Sequence, residues 1–235
     1  MAYTGSTREA TKPQITSWSF SKYKQWRTCP LKCKLATIDK LKEPESQPII
    51  NGNLAHKAQE DYINGASPEV PEVLKLFADD YRAMREHSLA NPGTVFAEFG
   101  AAFKENLAPC DWWARDAWLR VKLDVLILNE DNTAFVQDLK TGSKRAEDSE
   151  QCELFAMAVF LLHPTVEEVR SELWYSKDGA LISAVHVRSN LEHLIAKWRE
   201  ATAPMLADTE FLPLPNKFCG WCHYRKSNGG PCELS

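Results

Sequence analysis

The chain has 235 residues, of which 44% are hydrophobic and 26% are charged, and its net charge is −4. These values are typical of globular proteins and exclude a chain that is disordered throughout. No apolar run reaches the roughly 18 residues that a membrane span needs, and the first residues have no apolar stretch typical of a secretory signal. We therefore expect a soluble, cytoplasmic protein.

The basic side chains are concentrated at the start of the sequence. The first 40 residues carry a net charge of +6, which leaves −10 on the remainder. A basic segment beside an acidic body is compatible with phosphate binding near a cation site made of carboxylates. The alternative is an ordinary helix face exposed to solvent.

The N-terminal part is predicted to be helical because its apolar side chains recur at helical spacing. Pro30 is expected to end the first helix, and Asn91-Pro92-Gly93 to end the helical part. The predicted elements are, in order, a loose leader (1–16), a helix (19–28), a loop (44–48), and helices at 53–63 and 73–84.

The pattern then changes to the alternation of half-buried strands. The turn at 129–132 predicts that the strand after it returns antiparallel to the one before it. Helices followed by such a meander predict an α+β (mixed α/β) fold, in which helices flank a central mixed sheet. The predicted elements are strands at 95–103, 119–127 and 133–140, a helix at 149–162, strands at 168–175 and 181–187, and a last helix capped by Asn190.

Three side chains on the predicted hairpin suggest chemistry. Asp138 and Lys140 lie two residues apart on one strand, so they leave the same face of the sheet. A turn centred near residue 131 makes Asp124 a near cross-strand partner of Asp138. Two such carboxylates repel each other unless a cation lies between them, and oxygen ligands suit Mg²⁺ or Mn²⁺. Lys140 could then orient a water or offset charge on a phosphate. The alternative is a surface hairpin with an Asp–Lys pair.

Two helices add candidate residues. His56 and Glu60 lie one turn apart on the helix that follows Gly52, so both can face one pocket. Gln151 begins the helix after the strand of Asp138 and Lys140.

The seven cysteines cluster at the two ends of the chain, and their odd number argues against a full set of disulfides. Four of them could hold an iron–sulfur cluster or zinc. Free thiols are the third interpretation, and Cys33 is an alternative ligand to Cys29. The four are Cys29, Cys219, Cys222 and Cys232; Cys110 and Cys152 are interpreted as ordinary buried residues.

The tryptophans allow two interpretations. Trp112, Trp113 and Trp118 come just before the strand of Asp124, and Trp18, Trp26 and Trp221 lie near the terminal cysteines. Exposed tryptophans could stack on unpaired bases, but core packing is the interpretation we favour for each.

In this order the residues resemble a RecB-type nuclease of the PD-(D/E)XK superfamily, similar to stand-alone phage and CRISPR-associated iron–sulfur exonucleases. The resemblance implies a restriction-endonuclease-like core that hydrolyses phosphodiester bonds of DNA with Mg²⁺ or Mn²⁺. The residues that carry it are Ser17-Trp18-Ser19, Cys29-Pro30, Gly52, His56, Asp124, Asp138 to Gly142, Gln151 and the terminal cysteines.

The resemblance also implies a role for each matched residue. The metal ligands would be His56, Asp124, Asp138 and the main-chain carbonyl of Leu139. Lys140 would be the catalytic lysine and Gln151 the start of a Q-x-x-x-Y motif, in which Phe155 replaces the tyrosine. Glu98 would be an accessory carboxylate. A [4Fe–4S] cluster would be held by the four cysteines Cys29, Cys219, Cys222 and Cys232.

These expectations give an organisation and a function. The leader (1–16) would precede a nuclease core (17–210) with an N-terminal helical part (17–90), and a tail (211–235) would join Cys29. We expect an exonuclease for single-stranded DNA or DNA with free ends. Because the chain has no helicase motif, a phage or mobile-element role is expected, in the host cytoplasm if phage-encoded. Relatives form rings, so a homo-oligomer or a recombination partner protein is a further expectation. The alternatives are an endonuclease and a non-catalytic DNA-end-binding adaptor.

Overall fold

The computed structural model describes residues 14–144 and 148–234. Within this part, no helix is both long and apolar enough to cross a membrane. The described chain forms two compact units. We call residues 17–20 and 44–201 the sheet unit, and residues 14–16, 21–43 and 202–234 the cysteine unit.

The sheet unit contains one six-stranded mixed sheet in the order β2-β1-β3-β4-β5-β6. All neighbouring strands are antiparallel except β4 and β5, which are parallel. The six strands are β1 (Val95–Phe103), β2 (Pro109–Cys110), β3 (Leu119–Leu128), β4 (Thr133–Lys140), β5 (Glu168–Tyr175) and β6 (Leu181–Val187). The α+β class and the antiparallel hairpin are therefore confirmed, whereas the two-residue strand β2 was not predicted.

The helices follow the predicted pattern with three differences. The helix predicted at 73–84 begins as a 3₁₀ segment (Glu72–Phe77), and its α-helical part runs from Ala78 to Ala90. The loop predicted at 44–48 is wrong in its second half because α3 begins at Gln47, with Pro48 in the first turn, where proline suits a helix. Pro30 ends the first helix and also begins a second, unpredicted one for the same reason. The helices are α1 (Phe20–Thr28), α2 (Pro30–Thr37), α3 (Gln47–Ile63), α4 (Ala78–Ala90) after a 3₁₀ turn (Glu72–Phe77), α5 (Ser149–Leu162) and α6 (Leu191–Ala207).

One core of the sheet unit joins α3 and α4 to the sheet. It includes Tyr62, Tyr81, Val125, Leu139 and Trp174, all nearly inaccessible to solvent. α5 is apolar on almost every side and buried from Leu154 to Phe160, as expected for a helix enclosed by its neighbours. α3 and α5, which carry His56 and Gln151, are thus fixed against the sheet.

A buried chain of hydrogen bonds fixes α3 to β4. Gln59 Nε2 donates to Gln137 Oε1 (2.5 Å), and Gln137 Nε2 donates to the hydroxyl of Tyr81 on α4 (3.1 Å). Gln59 lies one turn after His56, and Gln137 directly precedes Asp138. Burying a polar side chain costs folding free energy unless it is hydrogen-bonded. This series of hydrogen bonds therefore specifies one position of α3 along β4.

The cysteine unit joins two separate segments of the chain. The Tyr224 hydroxyl donates to the Leu41 carbonyl (2.6 Å), and Trp26 Nε1 donates to the Asp208 carboxylate (2.8 Å). The structure thus groups α1 and α2 with the C-terminal tail, whereas the predicted boundaries placed them in a core of 17–210. Most of the predicted leader lies outside the described residues.

Candidate active site

The site lies where strands β3 and β4 separate. Their last paired residues are Val125 and Gln137, which confirms the predicted register. Beyond this pair the ladder of backbone hydrogen bonds ends, and the backbone N–H of Leu139 donates to Asp124 Oδ2 instead (2.7 Å). The carboxylate of Asp124 is therefore fixed between the two strands, and its side chain is almost completely buried.

Three side chains from three elements meet at Asp124. His56 Nδ1 of α3 lies 3.0 Å from Asp124 Oδ2 and 3.8 Å from Glu98 Oε1 of β1. Each of the three can offer one ligand atom, and these atoms lie within 4.8 Å of one another. An imidazole nitrogen and two carboxylates so close together could hold a divalent metal ion.

Glu98 reaches this group through an unusual backbone conformation. Its φ is +54°, in the left-handed region, although it lies within strand β1. A non-glycine residue held there costs roughly 1–3 kcal/mol, and such residues concentrate at functional sites. The carboxylate also forms an ion pair with Lys122 of β3. The alternation of residues in a strand gave no sign of this conformation.

Asp138, Lys140 and Gln151 form the second half of the site. Lys140 Nζ lies 2.6 Å from Asp138 Oδ2 and donates to Gln151 Oε1 (2.8 Å). Gln151 Nε2 in turn donates to Asp138 Oδ1 (3.2 Å). The start of α5, which carries Gln151, is fixed because the Tyr175 hydroxyl donates to Asp148 (2.8 Å). Lys140 is thus held between a carboxylate and an amide.

The proximity of these charges changes their protonation. Burial and the negative charge of Asp124 raise the pKa of Asp138 to about 6. Burial alone would lower the pKa values of His56 and Lys140, but the nearby carboxylates outweigh it, so both are raised. Lys140 is therefore a cation at neutral pH, and the carboxylates carry charge that a bound cation would offset.

The structure brings together His56, Glu98 and Asp124 at one point and Asp138, Lys140 and Gln151 at a neighbouring one. In the described part of the chain, the group with ligand atoms within 4.8 Å contains Glu98 and does not contain Asp138. Glu98, predicted as an accessory carboxylate, thus lies beside His56 and Asp124. Ligation by Asp138 and by the Leu139 carbonyl stays a prediction, as does the role of Gln151.

The cysteines of the predicted cluster all belong to the cysteine unit. Backbone N–H groups donate to two sulfurs, from Leu214 to Cys29 Sγ (3.5 Å) and from Asn216 to Cys219 Sγ (3.3 Å). Asn216 Nδ2 also donates to the Thr28 carbonyl (2.8 Å), which links these two segments. Among the described residues, the cysteines form no group of three with sulfurs within 4.8 Å of one another.

The remaining cysteines pack differently. Cys33, the alternative ligand, is fully buried, and its sulfur contacts Thr37 and the Lys22 carbonyl. Burial raises its pKa, which disfavours the thiolate that a metal would need. Cys152 is buried as predicted, with its pKa raised to about 12 by burial and the charge of Asp138, whereas Cys110 is only half-buried.

The tryptophans do not share one environment. Trp18 is buried between Trp118 and Trp198, as core packing predicts. Trp113 and Trp221 are 86% and 83% exposed, so the core prediction is wrong for these two. Their neighbours in sequence gave no signal that separates them from the buried tryptophans.

Comparison with known proteins identifies the family. No curated protein sequence matches the chain significantly. A structure from Eubacterium rectale described as a "Putative exonuclease" is 12% identical, with a TM-score of 0.54 over 94% of this chain and 90% of the other. A structure of the protein SSO0001 is also 12% identical, with a TM-score of 0.39 over 95% and 89%. At such identities a likeness shows the fold alone. The profile of the PD-(D/E)XK nuclease superfamily matches residues 17–227, and the chain belongs to that superfamily of nucleases.

Proposed function

We propose that this nuclease is a divalent-metal-dependent deoxyribonuclease that removes nucleotides from DNA ends. The observation that carries the proposal is the His56–Glu98–Asp124 group beside the Asp138–Lys140 ion pair. A cation bound there would stabilise negative charge on the phosphate and on the leaving oxygen. DNA is the substrate that the superfamily favours, and the description of the Eubacterium rectale protein supports exonuclease activity.

The chain's own residues have separate tasks in this proposal. His56, Glu98 and Asp124 would hold the cation, each at the atom that already points into the group. Nearby carboxylates raise the pKa of Lys140, and its ammonium group would orient water or a phosphate oxygen. Asp138 and Gln151 position its ammonium group.

A cleavage assay tests the proposal. End-labelled linear single-stranded and double-stranded DNA and a covalently closed circle are incubated with protein and Mn²⁺, Mg²⁺ or EDTA. We expect metal-dependent loss of linear DNA only, and the label position gives the direction of digestion. Asp124→Ala and Lys140→Ala should abolish cleavage. The matched control is Lys177→Ala, which removes an exposed lysine after β5 and should cleave like the wild type.

The other outcomes are equally informative. Cleavage of the closed circle contradicts the exonuclease and supports an endonuclease on the same fold. Binding of DNA ends without cleavage in either metal, by protein with a cooperative thermal transition, supports the adaptor. Undiminished cleavage by folded Asp124→Ala or Lys140→Ala protein contradicts the assignment of the site.

We keep the [4Fe–4S] cluster at Cys29, Cys219, Cys222 and Cys232 as a separate prediction. Its support is the shared compact unit and the N–H groups that donate to Cys29 and Cys219, since such bonds stabilise thiolates. Iron and sulfide analysis of anaerobically purified protein tests it. Stoichiometric iron with visible absorbance that Cys219→Ser removes is the expected result, and iron-free, fully folded protein contradicts it.

A further inference from the structure

Trp113 is an exposed aromatic side chain on a firmly anchored loop of the sheet unit. The loop connects β2 and β3, and Trp113 is 86% accessible to solvent. Arg120 anchors the loop because its guanidinium donates to the carbonyls of Trp112 (2.8 Å) and Ala114 (3.3 Å). The conformation of the loop therefore holds a large apolar ring in water.

The neighbouring Trp112 shows on which face of the sheet the loop lies. Its ring covers Gly100 of β1 so closely that a β-carbon there would lie 3.0 Å from Trp112 Cε3. Gly100 is the cross-strand partner of Lys122, whose ammonium group pairs with Glu98. Side chains of cross-strand partners share a face, so the ring of Trp112 lies on the face from which Lys122 reaches Glu98.

The register gives the spacing along the strands between the residue that Trp112 covers and the metal group. Gly100 and Lys122 lie two residues along β1 and β3 from Glu98 and Asp124, and two residues of a strand span about 7 Å. The ring of Trp113 neighbours that of Trp112 and is perpendicular to it, with 6.5 Å between the ring centroids. Lys122, the cross-strand partner of Gly100, has 56% of its side chain exposed and offers a charge to a phosphate.

We propose that Trp113 is a stacking platform for an unpaired base of the nucleic acid whose phosphodiester lies at the His56–Glu98–Asp124 group. This inference rests on the proposed nuclease function and specifies its substrate as DNA with single-stranded character beside the cleaved bond. Every base has a π face, and stacking on an aromatic ring needs no sequence preference. A base inside an intact duplex cannot reach the ring in this way.

Binding and cleavage measured in parallel test the inference. Binding of a fluorescent oligo(dT) and of a blunt duplex is measured in Ca²⁺, and cleavage of both in Mn²⁺. Alanine substitution at a base-stacking ring costs about 1–3 kcal/mol, so Trp113→Ala should raise the Kd for oligo(dT) about 5- to 150-fold. Trp113→Phe should retain most of the affinity, and the Kd for the blunt duplex should change less than threefold. Steady-state cleavage should show a raised KM for single-stranded DNA.

Leu89→Ala is the control because Leu89 is also a strongly exposed apolar residue (73%) of the sheet unit, near the end of α4. The inference is overturned if Trp113→Ala binds oligo(dT) within twofold of the wild type, or if Leu89→Ala loses as much affinity. If the wild type cleaves DNA and Trp113→Ala still binds oligo(dT) within twofold of it, the nuclease function stands without the platform. Should the wild type bind through Trp113 without cleaving, the platform stands and the enzymatic proposal fails. If the wild type neither binds nor cleaves, both fail.

Discussion

The burial of Asp138 should make the metal-free protein less stable than a variant without this charge. Asp138 is almost inaccessible to solvent, and burial together with the charge of Asp124 raises its pKa from the usual 3.8 to about 6. A shift of this size corresponds to roughly 3 kcal/mol at neutral pH. Because an asparagine must also be buried and leaves Lys140 without its ion pair, we expect Asp138→Asn to gain about 1–3 kcal/mol in EDTA at pH 8.

The pH dependence of this gain has a definite sign. The folded pKa lies above the unfolded one, so the folded wild type binds more protons between about pH 4 and 6. The contribution of Asp138 to wild-type stability is therefore present below pH 4 and is lost as the pH rises towards 6. The advantage of Asp138→Asn should be small near pH 4 and complete above pH 7.

Thermal unfolding in EDTA at several pH values measures this effect. For a chain of this size a gain of 1 kcal/mol raises Tm by about 2–4 °C, so the variant should melt roughly 2–12 °C above the wild type at pH 8. The control is Asp111→Asn, which removes an exposed aspartate and should leave Tm nearly unchanged. A variant that melts at or below the wild-type Tm at pH 8, or a gain that is the same at pH 4.5 and pH 8, refutes the reasoning.

Three further predictions concern the site and its support. Mn²⁺ at about 100 times its Kd should stabilise the wild type by about 2.7 kcal/mol. Calorimetry should show that His56→Ala and Glu98→Ala lose this gain in stability. A gain retained by both variants would exclude the proposed ligands. Arg188 donates to the carbonyls of Phe160 in α5 and of His163 and Val166 just after it, at 2.6–3.2 Å. Urea unfolding should show a loss of about 2–4 kcal/mol for Arg188→Ala and a smaller loss for Arg188→Lys. Gly100→Ala should displace the ring of Trp112, which lies 3.0 Å from the added carbon, and lower oligo(dT) affinity; unchanged affinity would show that the position of the loop does not matter.

Most of the sheet could be predicted from the sequence because its strands alternate clearly and its turns contain strong signals. The strand bounds at 95–103, 133–140, 168–175 and 181–187 agree with the structure. The N-terminal helices were harder to predict because proline both ends one helix and begins the next, and these cases depend on the packing around it. The two-residue strand β2 is too short for any periodicity to show.

The parts of the site that follow from regular strand pairing could be predicted. The parts that depend on irregular backbone conformation could not. Asp138 and Lys140 share a face because they lie two apart on a strand, and the antiparallel turn brings Asp124 near them. The position of Glu98 depends on a φ of +54° that no alternation rule contains. The exposure of Trp113 depends on the conformation of the loop whose Trp112 covers Gly100. The local sequence does not indicate that conformation either.

These departures have one physical feature in common. Each lowers the stability that the fold could reach: the backbone of Glu98 is strained, the charge of Asp138 is buried, and the ring of Trp113 forgoes the free energy of burial. Local rules predict residues that fit their surroundings, so they fail at such positions. A bound cation would attract the carboxylates of Asp124 and Asp138, which repel each other, and a base stacked on Trp113 would cover its ring. Departures of this kind are therefore expected in a protein that binds a metal and a nucleic acid.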